Sequence, residues 1–475
     1  MMRRLQIAGV AAVAVVTLAG CMVGPDYERP QTPVPAKYPD EPPANAASAA
    51  ATPIRADWWV LYDDPTLNSL LAIALTDNLD VVFAVARIEE ADADLREVNA
   101  SLFPEIDLAA LGTRSRTSGN IASPAPVRLS NDFRVALATS FEIDFWGRLR
   151  RQVESARAQA LATHYAKDVV TLSLAGLTTQ TYFSLRSLDA QIAATRETLK
   201  TRQDYLEIVR RRADSGLASD LDLNQALGAA SDAAAQLKDL VRQRKLAEHL
   251  LGTLTGKLDL KLPAGDLAQL PVPPVPPTGL PSTLLERRPD IRAAEENLHS
   301  NTALIGAAKA ALFPRISLTG ALGGESDALS SLLSTGGRIW SIGFGLAQPI
   351  FTAGRLSAEV DATTARQKQT LATYQKSIQT AFQEVADALT NVEQTAATAT
   401  DLQTSVDASR NALRLATLRY EAGYSNYLDV LDAQRTLNIS QLALIRNRQA
   451  LLSATVDLMT ALGGGWQDEQ PLATR

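Results

Sequence analysis

The chain has 475 residues, of which 46% are apolar and 21% charged, and its formal net charge is -6. This composition excludes a bundle of membrane-spanning helices, because each span needs about 20 consecutive apolar residues and only the N-terminal segment approaches such a run. The acidic balance offers no basic surface for phosphate backbones, so we expect no nucleic-acid partner.

The N-terminus predicts an exported protein. Arg3 and Arg4 precede an apolar stretch and then small residues, which is the pattern of a secretory signal peptide over residues 1–20. The run from Leu18 to Cys21 is similar to a bacterial lipobox, in which the cysteine becomes the lipidated first residue. An ordinary signal followed by a fortuitous cysteine is the alternative. Because Cys21 is the only cysteine, no internal disulfide can form.

The residues after the lipobox predict where the chain is held. By resemblance to bacterial lipoproteins, Met22 in place of an aspartate favours sorting to the outer membrane, so we expect outer-membrane lipid as a partner. A single acyl chain anchors weakly, and stable attachment therefore needs a second contribution from the protein. Residues 21–56 are rich in proline and alanine, which predicts an extended tether.

The rest of the chain is an internal duplication. Landmarks recur in the same order after about 207–210 positions: Asp80 as Asp290, Phe103-Pro104 as Phe313-Pro314, Gly147-Arg148-Leu149 as Gly354-Arg355-Leu356, and Arg212, Gly216, Leu221 and Asp222 as Arg419, Gly423, Leu428 and Asp429. We therefore predict a first structural repeat over 57–262 and a second over 282–462. A Pro-rich connector at 263–281 separates them, and a C-terminal tail occupies 463–475.

Each repeat contains a long block without proline, at 148–215 and at 355–422. In the second block a strict seven-residue spacing relates Leu371, Ile378, Val385 and Val392, with companion core positions at Tyr374, Ala381 and Ala388. This periodicity predicts coiled-coil helices, each about 100 Å long at 1.5 Å per residue. A cytoskeletal-style rod would share these helices, but the segments between them argue against it.

Between its helices each repeat contains one amphipathic hairpin. Residues 133–145 and 340–350 alternate strictly between apolar and polar side chains, and a shorter alternating segment precedes each. We predict hairpins at about 103–147 and 313–354, with loops near 113–131 and 323–338. Strands of this kind suit a transmembrane β-barrel, although a soluble sheet packed on a core gives the same alternation.

The number of strands favours the barrel only if it is shared between chains. One chain offers four strands, a bilayer tolerates no open sheet edge, and the smallest outer-membrane barrels have about eight strands. Two chains would supply eight strands around a largely filled interior, and three would supply twelve with room for a lumen. A homotrimer is therefore the arrangement that makes a conduit.

Further motifs occur in order along the mature chain: Cys21-Met-Val-Gly-Pro-Asp-Tyr27, Trp58-Trp59 with Asp64-Pro65, Phe145-Trp-Gly-Arg148, Tyr427-Leu-Asp-Val-Leu-Asp-Ala-Gln434 and Ala461-Leu-Gly-Gly-Gly-Trp466. Together they resemble the TolC-like outer-membrane efflux proteins, in the lipoprotein (NodT-type) branch that serves resistance-nodulation-division pumps. Since the motifs span essentially the whole mature chain, the resemblance is more specific than any one of them.

The resemblance implies a mixed α and β fold. Four strands per chain would join a twelve-stranded outer-membrane barrel in a homotrimer, and the long helices would form an α-barrel in the periplasm. Substrate would pass passively from an inner-membrane pump, through a periplasmic adaptor, to the cell exterior. A duct for type I protein secretion is an alternative use of the same fold. A non-channel periplasmic coiled-coil adaptor lipoprotein is another alternative, but it would need no hairpins of spanning length.

The candidate gate lies between Arg419 and Gln434. Gly423 ends one helix there, and Asp429 and Asp432 open the next helix on one face. The resemblance implies that these aspartates ring the periplasmic aperture, where threefold symmetry would gather six carboxylates. Without the resemblance, both are solvated carboxylates at a helix start, where the helix dipole favours negative charge.

The resemblance also implies a latch for the closed gate. Tyr420 matches a family tyrosine that bonds an acidic residue of the first tip, at the position of Asp222, although it could equally be a half-buried helix-end aromatic. Some relatives carry an arginine two residues after Gly423, but Ser425 occupies that position here and cannot form the corresponding salt bridge. Gly216 and Gly423 would be the turns at the end that meets the adaptor.

The sequence shows no pattern typical of catalysis. His164, His249 and His299 are scattered and lack metal-ligand spacing. The run from Gly252 to Lys257 has three residues rather than four between its glycines, so it is not a phosphate loop. No Gly-x-Ser-x-Gly elbow occurs. We therefore expect neither an enzyme nor a bound cofactor.

Overall fold

A computed structural model describes residues 22–33, 35, 54–116, 118, 129–275 and 281–466. The predicted signal peptide, the predicted lipid attachment site Cys21, residues 276–280 of the predicted connector and the chain after 466 lie outside the described residues.

The helices and strands follow the order of the duplication. The first copy contains α1 (Pro65–Asp77), α2 (Leu79–Ala100), β1 (Glu105–Arg116), β2 (Leu129–Ile143), α3 (Arg148–Asp214) and α4 (Asp220–Leu254). The second copy contains α5 (Pro281–Arg287), α6 (Pro289–Ala310), β3 (Arg315–Ser326), β4 (Arg338–Ala347), α7 (Arg355–Glu421) and α8 (Tyr427–Ala461).

Equivalent elements have matching lengths. α2 and α6 each have 22 residues, α3 and α7 each have 67, and α4 and α8 each have 35. The two long helices fill the predicted proline-free blocks to within one residue, which confirms that prediction. On α7 the heptad positions from Tyr374 to Val392 are buried as the spacing predicted, and Leu371 is half-buried.

The described residues fall into two compact units. Unit 1 is formed by the described parts of Met1–Gln31, Arg87–His164 and Ala293–Gln375, and it contains all four described strands. Unit 2 is formed by the described parts of Thr32–Ala86, Tyr165–Arg292 and Lys376–Arg475. Each unit draws on both copies of the duplication, so the division in space cuts across the division in sequence.

Unit 1 contains an antiparallel sheet with the strand order β1-β2-β3-β4. The register aligns side chains of one kind across all four strands: Leu108, Leu137, Leu322 and Trp340 form one row, and Asp107, Ala138, Ala321 and Ser341 form the next. The four side chains of the first row are between 50% and 75% exposed. Consecutive rows point to opposite faces, so one face of the sheet is apolar and yet uncovered by the described residues.

The strands differ at their ends from the predicted ones. β1 continues to Arg116 and β3 to Ser326, into segments that the sequence analysis assigned to loops. These segments are rich in serine, threonine and glycine and lack an alternating apolar pattern. Their backbone groups nevertheless form hydrogen bonds with the neighbouring strand, so the strands are longer than the pattern predicted. β4 ends at Ala347 and not at Ile350, because Pro349 has no N–H to donate to a ladder.

One described segment contradicts the expectation that only the N-terminus approaches a spanning composition. Pro65–Ala100 reaches a mean hydropathy of 1.7 over an 18-residue window. The structure breaks this segment at Asn78, whose side-chain Nδ2 donates to the carbonyl of Leu254 at 2.9 Å. The apolar side chains of α1 that are fully buried are Leu67, Leu70, Leu71 and Ala74. α1 is therefore a core helix of unit 2, and its apolar run serves packing.

The core of unit 2 uses residues of the sequence motifs. Asp64 accepts a hydrogen bond from the backbone N–H of Thr66 at 2.8 Å and so caps α1, with Pro65 at the first helical position. The same carboxylate accepts from the hydroxyl of Tyr182, which Arg186 Nε also contacts at 2.8 Å. Burial raises the pKa of Tyr182 to about 12. These motif residues therefore stabilise the helical core.

The described part of the Pro-rich connector, together with Leu262 directly before it, is docked against α3 and α4. Arg244 Nη2 donates to the carbonyl of Leu262 at 2.8 Å, and Glu248 Oε1 accepts from the N–H of Leu262 at 2.8 Å. Asp189 Oδ1 accepts from Arg244 Nε at 2.6 Å, and Asp189 Oδ2 accepts from the N–H of Gly265 at 3.1 Å. Since the buried carboxylates are paired, this charged network fixes the connector to the helices.

The predicted tether also differs from a freely extended segment at its start. In unit 1 the N–H of Val23 donates to the carbonyl of Trp146 at 3.1 Å, and Arg29 forms an ion pair with Glu295. Residues 22–29 therefore lie against the body of unit 1, because long-range ion pairs outweigh the extended preference of a Pro-rich sequence.

Candidate functional site

The candidate site is formed by the two turns in unit 2 that join a long helix to a shorter one. α3 ends at Asp214 and α4 begins at Asp220, while α7 ends at Glu421 and α8 begins at Tyr427. The structure therefore places the predicted tip residues at the ends of the helix pairs α3/α4 and α7/α8.

Both long helices end in the same hydrogen-bonded turn. Gly216 and Gly423 have φ angles of 71° and 79°, the left-handed conformation that glycine adopts without strain. The residue after each glycine donates its N–H to a carbonyl five positions back: Leu217 to Arg212 at 2.7 Å, and Tyr424 to Arg419 at 2.8 Å. A Cβ atom at either glycine would meet no atom within 4 Å, so the requirement is one of backbone conformation.

Asp222 and Asp429 occupy equivalent positions at the third residue of α4 and α8, but their carboxylates differ. Asp222 Oδ2 accepts from the hydroxyl of Ser219 at 2.8 Å and from its N–H at 3.2 Å, which forms a capping box. At the second tip the cap is Asn426, whose Oδ1 accepts from the N–H of Asp429 at 3.3 Å. Among the described residues, no side chain or N–H donates to the Asp429 carboxylate, which remains available to solvent and ions.

Asp429 and Asp432 are both exposed, on the side of α8 opposite the buried residues Tyr427, Val430 and Gln434. Asp432 Oδ1 accepts from Arg435 Nη2 at 3.3 Å, in a pair whose side chains are 66% and 71% exposed. An exposed pair of this kind contributes about 0–1 kcal/mol. Asp432 is therefore only weakly paired.

The same carboxylates line a groove between α7 and α8 with a volume of about 790 Å³. Arg419 on α7 lies at this groove, together with the half-exposed Leu415 and Leu428. The groove thus combines two exposed carboxylates and one arginine with apolar flanks, a surface suited to ions or to contact with another chain.

Three tyrosines pack together next to the second tip. The rings of Tyr205 and Tyr427 are stacked, with centroids 3.9 Å apart and an interplanar angle of 9°, and the ring of Tyr420 meets both at 5.7–5.8 Å. Arg212 Nη1 donates to the Tyr420 hydroxyl at 2.8 Å, with its guanidinium 5.5 Å from the ring. Burial raises the pKa of Tyr205 and of Tyr427, so these two phenols stay protonated at neutral pH.

The predicted bond between Tyr420 and Asp222 is not formed among the described residues. Tyr420 pairs with Arg212 instead, because the Asp222 carboxylate is already engaged by Ser219 in its own helix cap. The Ser425 hydroxyl is buried without a hydrogen-bond partner in the described part of the chain. The structure therefore links the two helix pairs through Arg212 and Tyr420.

The sequence pattern gave no role to Tyr205, included Tyr427 only as part of a family motif, and included Arg212 only as a landmark of the repeat. A signal for the cluster was present in the duplication, because none of the three tyrosines is a tyrosine at the equivalent position of the other copy. Tyr205 corresponds to Ala412, Tyr420 to Ala213 and Tyr427 to Asp220. Departures from an otherwise regular duplication therefore mark this site. Among the described residues, no group of three or more His, Cys, Asp or Glu side chains is placed to hold a metal ion.

The two copies, each with helices, a hairpin and further helices, match a known protein family. The sequence model of one family, described as outer membrane efflux protein, matches residues 70–257 and 280–464. The chain belongs to the outer membrane efflux protein family. Each matched segment contains one copy from α2 or α6 onward, and the gap between them falls mostly within the connector. The family predicted from the sequence motifs is thereby confirmed.

Relatives match along nearly their whole length. The chain is 35% identical over 470 residues to outer membrane protein OprJ of Pseudomonas aeruginosa, covering 98% of this chain and 97% of that protein. It is 35% identical over 463 residues to toluene efflux pump outer membrane protein TtgI of Pseudomonas putida, covering 96% and 98%. The solved CmeC outer membrane channel of Campylobacter jejuni has a TM-score of 0.86 at 27% identity, covering 95% of this chain and 96% of that one. This chain is thus an outer membrane efflux protein with the fold of a known channel.

Proposed function

We propose that this family member is the exit duct of a tripartite efflux system and conducts substrate passively to the cell exterior. The pump would be an inner-membrane transporter of the resistance-nodulation-division class, joined to the duct by a periplasmic adaptor. In support, similar proteins include one named for a toluene efflux pump and one described as an outer membrane channel.

The observation that carries this proposal is the four-stranded sheet of unit 1. Its apolar face is exposed, and β1 and β4 each have one strand neighbour in the sheet. A bilayer tolerates neither open sheet edges nor isolated sheets, so the edges must pair with other copies. Three copies supply twelve strands, which is enough for a lumen. We therefore propose a homotrimer with one shared barrel. A non-channel adaptor would leave this exposed apolar face without a role.

The proposed organisation of the chain follows the sequence. Residues 1–20 are a signal peptide, and Cys21 carries lipid, including palmitate, as the first residue of a segment ending at 56. The repeats 57–262 and 282–462 each contribute one hairpin to the barrel and long helices to a periplasmic α-barrel. The connector 263–281 joins them, and 463–475 form the tail. The barrel and the lipid together would supply the two attachments that stable anchoring requires.

The proposed gate is the second tip. Three copies of Asp429 and Asp432 would place six carboxylates in a narrow mouth, where a focused negative potential favours cations. Tyr420 and Arg212 would hold the helix pair α7/α8 to α3/α4 in the closed state, and Asp222 would keep the first tip capped. The turns at Gly216 and Gly423 would present this end to the adaptor.

Planar-bilayer recording of the purified full-length protein tests the proposed function. We expect stepwise ionic conductance that favours cations, because the proposed mouth is acidic. Protein unfolded by heat before addition is the control and should give no steps. Silent bilayers with folded protein that has inserted into the membrane would contradict the proposal.

A further inference from the structure

The motif that follows Cys21 has no role in the proposed gate or barrel, yet unit 1 holds it tightly. The N–H of Val23 donates to the carbonyl of Trp146 at 3.1 Å, directly after β2. Gly24 has a φ of 107°, and a Cβ atom there would overlap the Cα of Gly306 on α6. Such a close approach of two backbones requires glycine. The segment therefore lies in a narrow slot between α6 and the residues that follow β2.

Charged groups on both sides of the slot pair with the same segment. Asp26 Oδ1 accepts from Arg151 Nη2 at 2.6 Å, and the Arg151 side chain is only 2% exposed. Arg29 binds Glu295 through two hydrogen bonds, of 2.6 and 2.8 Å, and the Glu295 side chain is 6% exposed. Because buried charges are costly without partners, docking of the segment adds an ion pair to Arg151 on α3, which also pairs with Glu154 at 2.8 Å, and an ion pair to Glu295 on α6.

Tyr27 lies between these two ion pairs. Its ring stacks on His299 with centroids 4.7 Å apart, and its hydroxyl donates to Glu295 Oε1 at 3.1 Å. His299 Nε2 lies 3.2 Å from Glu154 on α3, and Nδ1 lies 3.3 Å from Glu296 on α6.

The charges around His299 come from every neighbouring element. They are Glu154 and Arg151 on α3, Glu295 and Glu296 on α6, Asp26, Tyr27 and Arg29 on the N-terminal segment, and the phenol of Tyr374 on α7, which interacts with Tyr27. The carboxylates of Glu296 and Glu154 raise the pKa of His299 above its ordinary value of 6.5. A protonated imidazole thus offsets an excess of negative charge in this cluster.

We propose that Gly24–Arg29 is a docking strand that clips α3 of the first repeat to α6 of the second, and that protonation of His299 strengthens the clip. This assignment goes beyond the duct function, since it concerns how the body of the protein holds the start of its own tether. A Cβ atom at Gly147 would overlap Met22, so the start of the described segment lies directly against the turn between β2 and α3.

Limited chymotrypsin digestion of the full-length mature protein in detergent tests the clip. Cleavage after Tyr27 releases a short N-terminal fragment that mass spectrometry quantifies, and a synthetic peptide of residues 22–33 gives the unprotected rate. At about pH 6 we expect wild-type cleavage at least tenfold slower than that of the peptide, because the docked segment must open locally before the protease can cleave it.

Two variants and a matched control locate the protection. Gly24→Ala blocks the slot, and the isosteric Glu295→Gln removes the charge that holds Arg29, so each should raise the cleavage rate about tenfold. Glu28→Gln is the control, since Glu28 is exposed on the same segment; because it adjoins the scissile bond, its cleavage rate is divided by that of a peptide with the same substitution, and this ratio should match the wild-type ratio. A wild type cut as fast as the peptide, or both variants cut as slowly as wild type, would overturn the clip.

The pH dependence tests the role of His299. Its pKa is higher in the folded protein than in the unfolded chain, so its contribution is present below about pH 6.5 and is lost as pH rises through the folded value. Relative to the peptide, wild-type cleavage should accelerate several-fold between about pH 6 and 8.5, and His299→Gln should cleave fast throughout. Identical pH profiles for the two proteins would refute the proposed role. Bilayer conductance is read separately, so failure here leaves the duct untouched.

Discussion

Replacing Asp429 and Asp432 together by alanine is expected to raise single-channel conductance at least twofold and to reduce the preference for cations. Both carboxylates are exposed, and among the described residues Asp432 pairs only with an exposed arginine. In a trimer the substitution would remove six charges that hold counter-ions in the mouth, and the smaller side chains would widen it. Planar-bilayer recording at about 0.1 M salt, where the Debye length is about 10 Å, measures both effects.

Two further variants calibrate this result. Asp220→Ala removes an exposed aspartate from the first tip, which the proposed gate does not use, and it should leave conductance unchanged. Tyr420→Phe removes the hydrogen bond to Arg212 but keeps the ring packed against Tyr205 and Tyr427, so a smaller increase is expected. Wild-type conductance and selectivity in the double aspartate variant would show that the second tip does not limit the current.

Ile342→Arg is expected to reduce the yield of membrane-inserted assembly at least tenfold. Ile342 lies in the middle of β4 with its side chain 82% exposed, on the same apolar face as Trp340 and Phe344. An arginine on the lipid face of a barrel costs about 2–4 kcal/mol near the bilayer midplane, and a trimer would bear this cost three times. Sedimentation of protein with liposomes after refolding gives the inserted fraction.

The neighbouring residue provides the matched control. Ser341 lies on the opposite face of β4, in the polar row with Asp107 and Ala138, so Ser341→Arg would point into a wet lumen. It should insert as well as wild type. Equal insertion of the two arginine variants would show that neither face of this sheet meets lipid.

Much of the fold follows from local patterns in the sequence. The two 67-residue helices could be predicted because proline is absent from both blocks and apolar residues recur every seven positions. The hairpins could be predicted because strict alternation indicates a strand. The turns at Gly216 and Gly423 could be placed because a duplicated glycine at a helix end indicates a left-handed cap. Each of these signals depends on neighbours a few residues apart.

The features that could not be predicted are a contact between distant residues, a choice between two partners, and an apolar run interrupted by charges. Nothing local to Arg29 indicates that Glu295 is its partner, so a Pro-rich segment predicted to be extended is docked at its start. The Asp222 carboxylate could bond Tyr420 or cap its own helix, and in the structure it pairs with Ser219 in the helix cap. The apolar run from Pro65 to Ala100 passed unnoticed because its aspartates interrupt it, although its first helix buries four apolar side chains in a core.

The shared conduit is the central claim, and counting chains and strands in the purified assembly tests it most directly. Electron cryo-microscopy of the full-length mature protein in lipid nanodiscs should show three copies. Their sheets should close into twelve strands, with β4 of each copy paired to β1 of the next, and Asp429 and Asp432 should line the narrow end of the helical channel. A single copy with an open sheet, or two copies closing eight strands, would contradict the account.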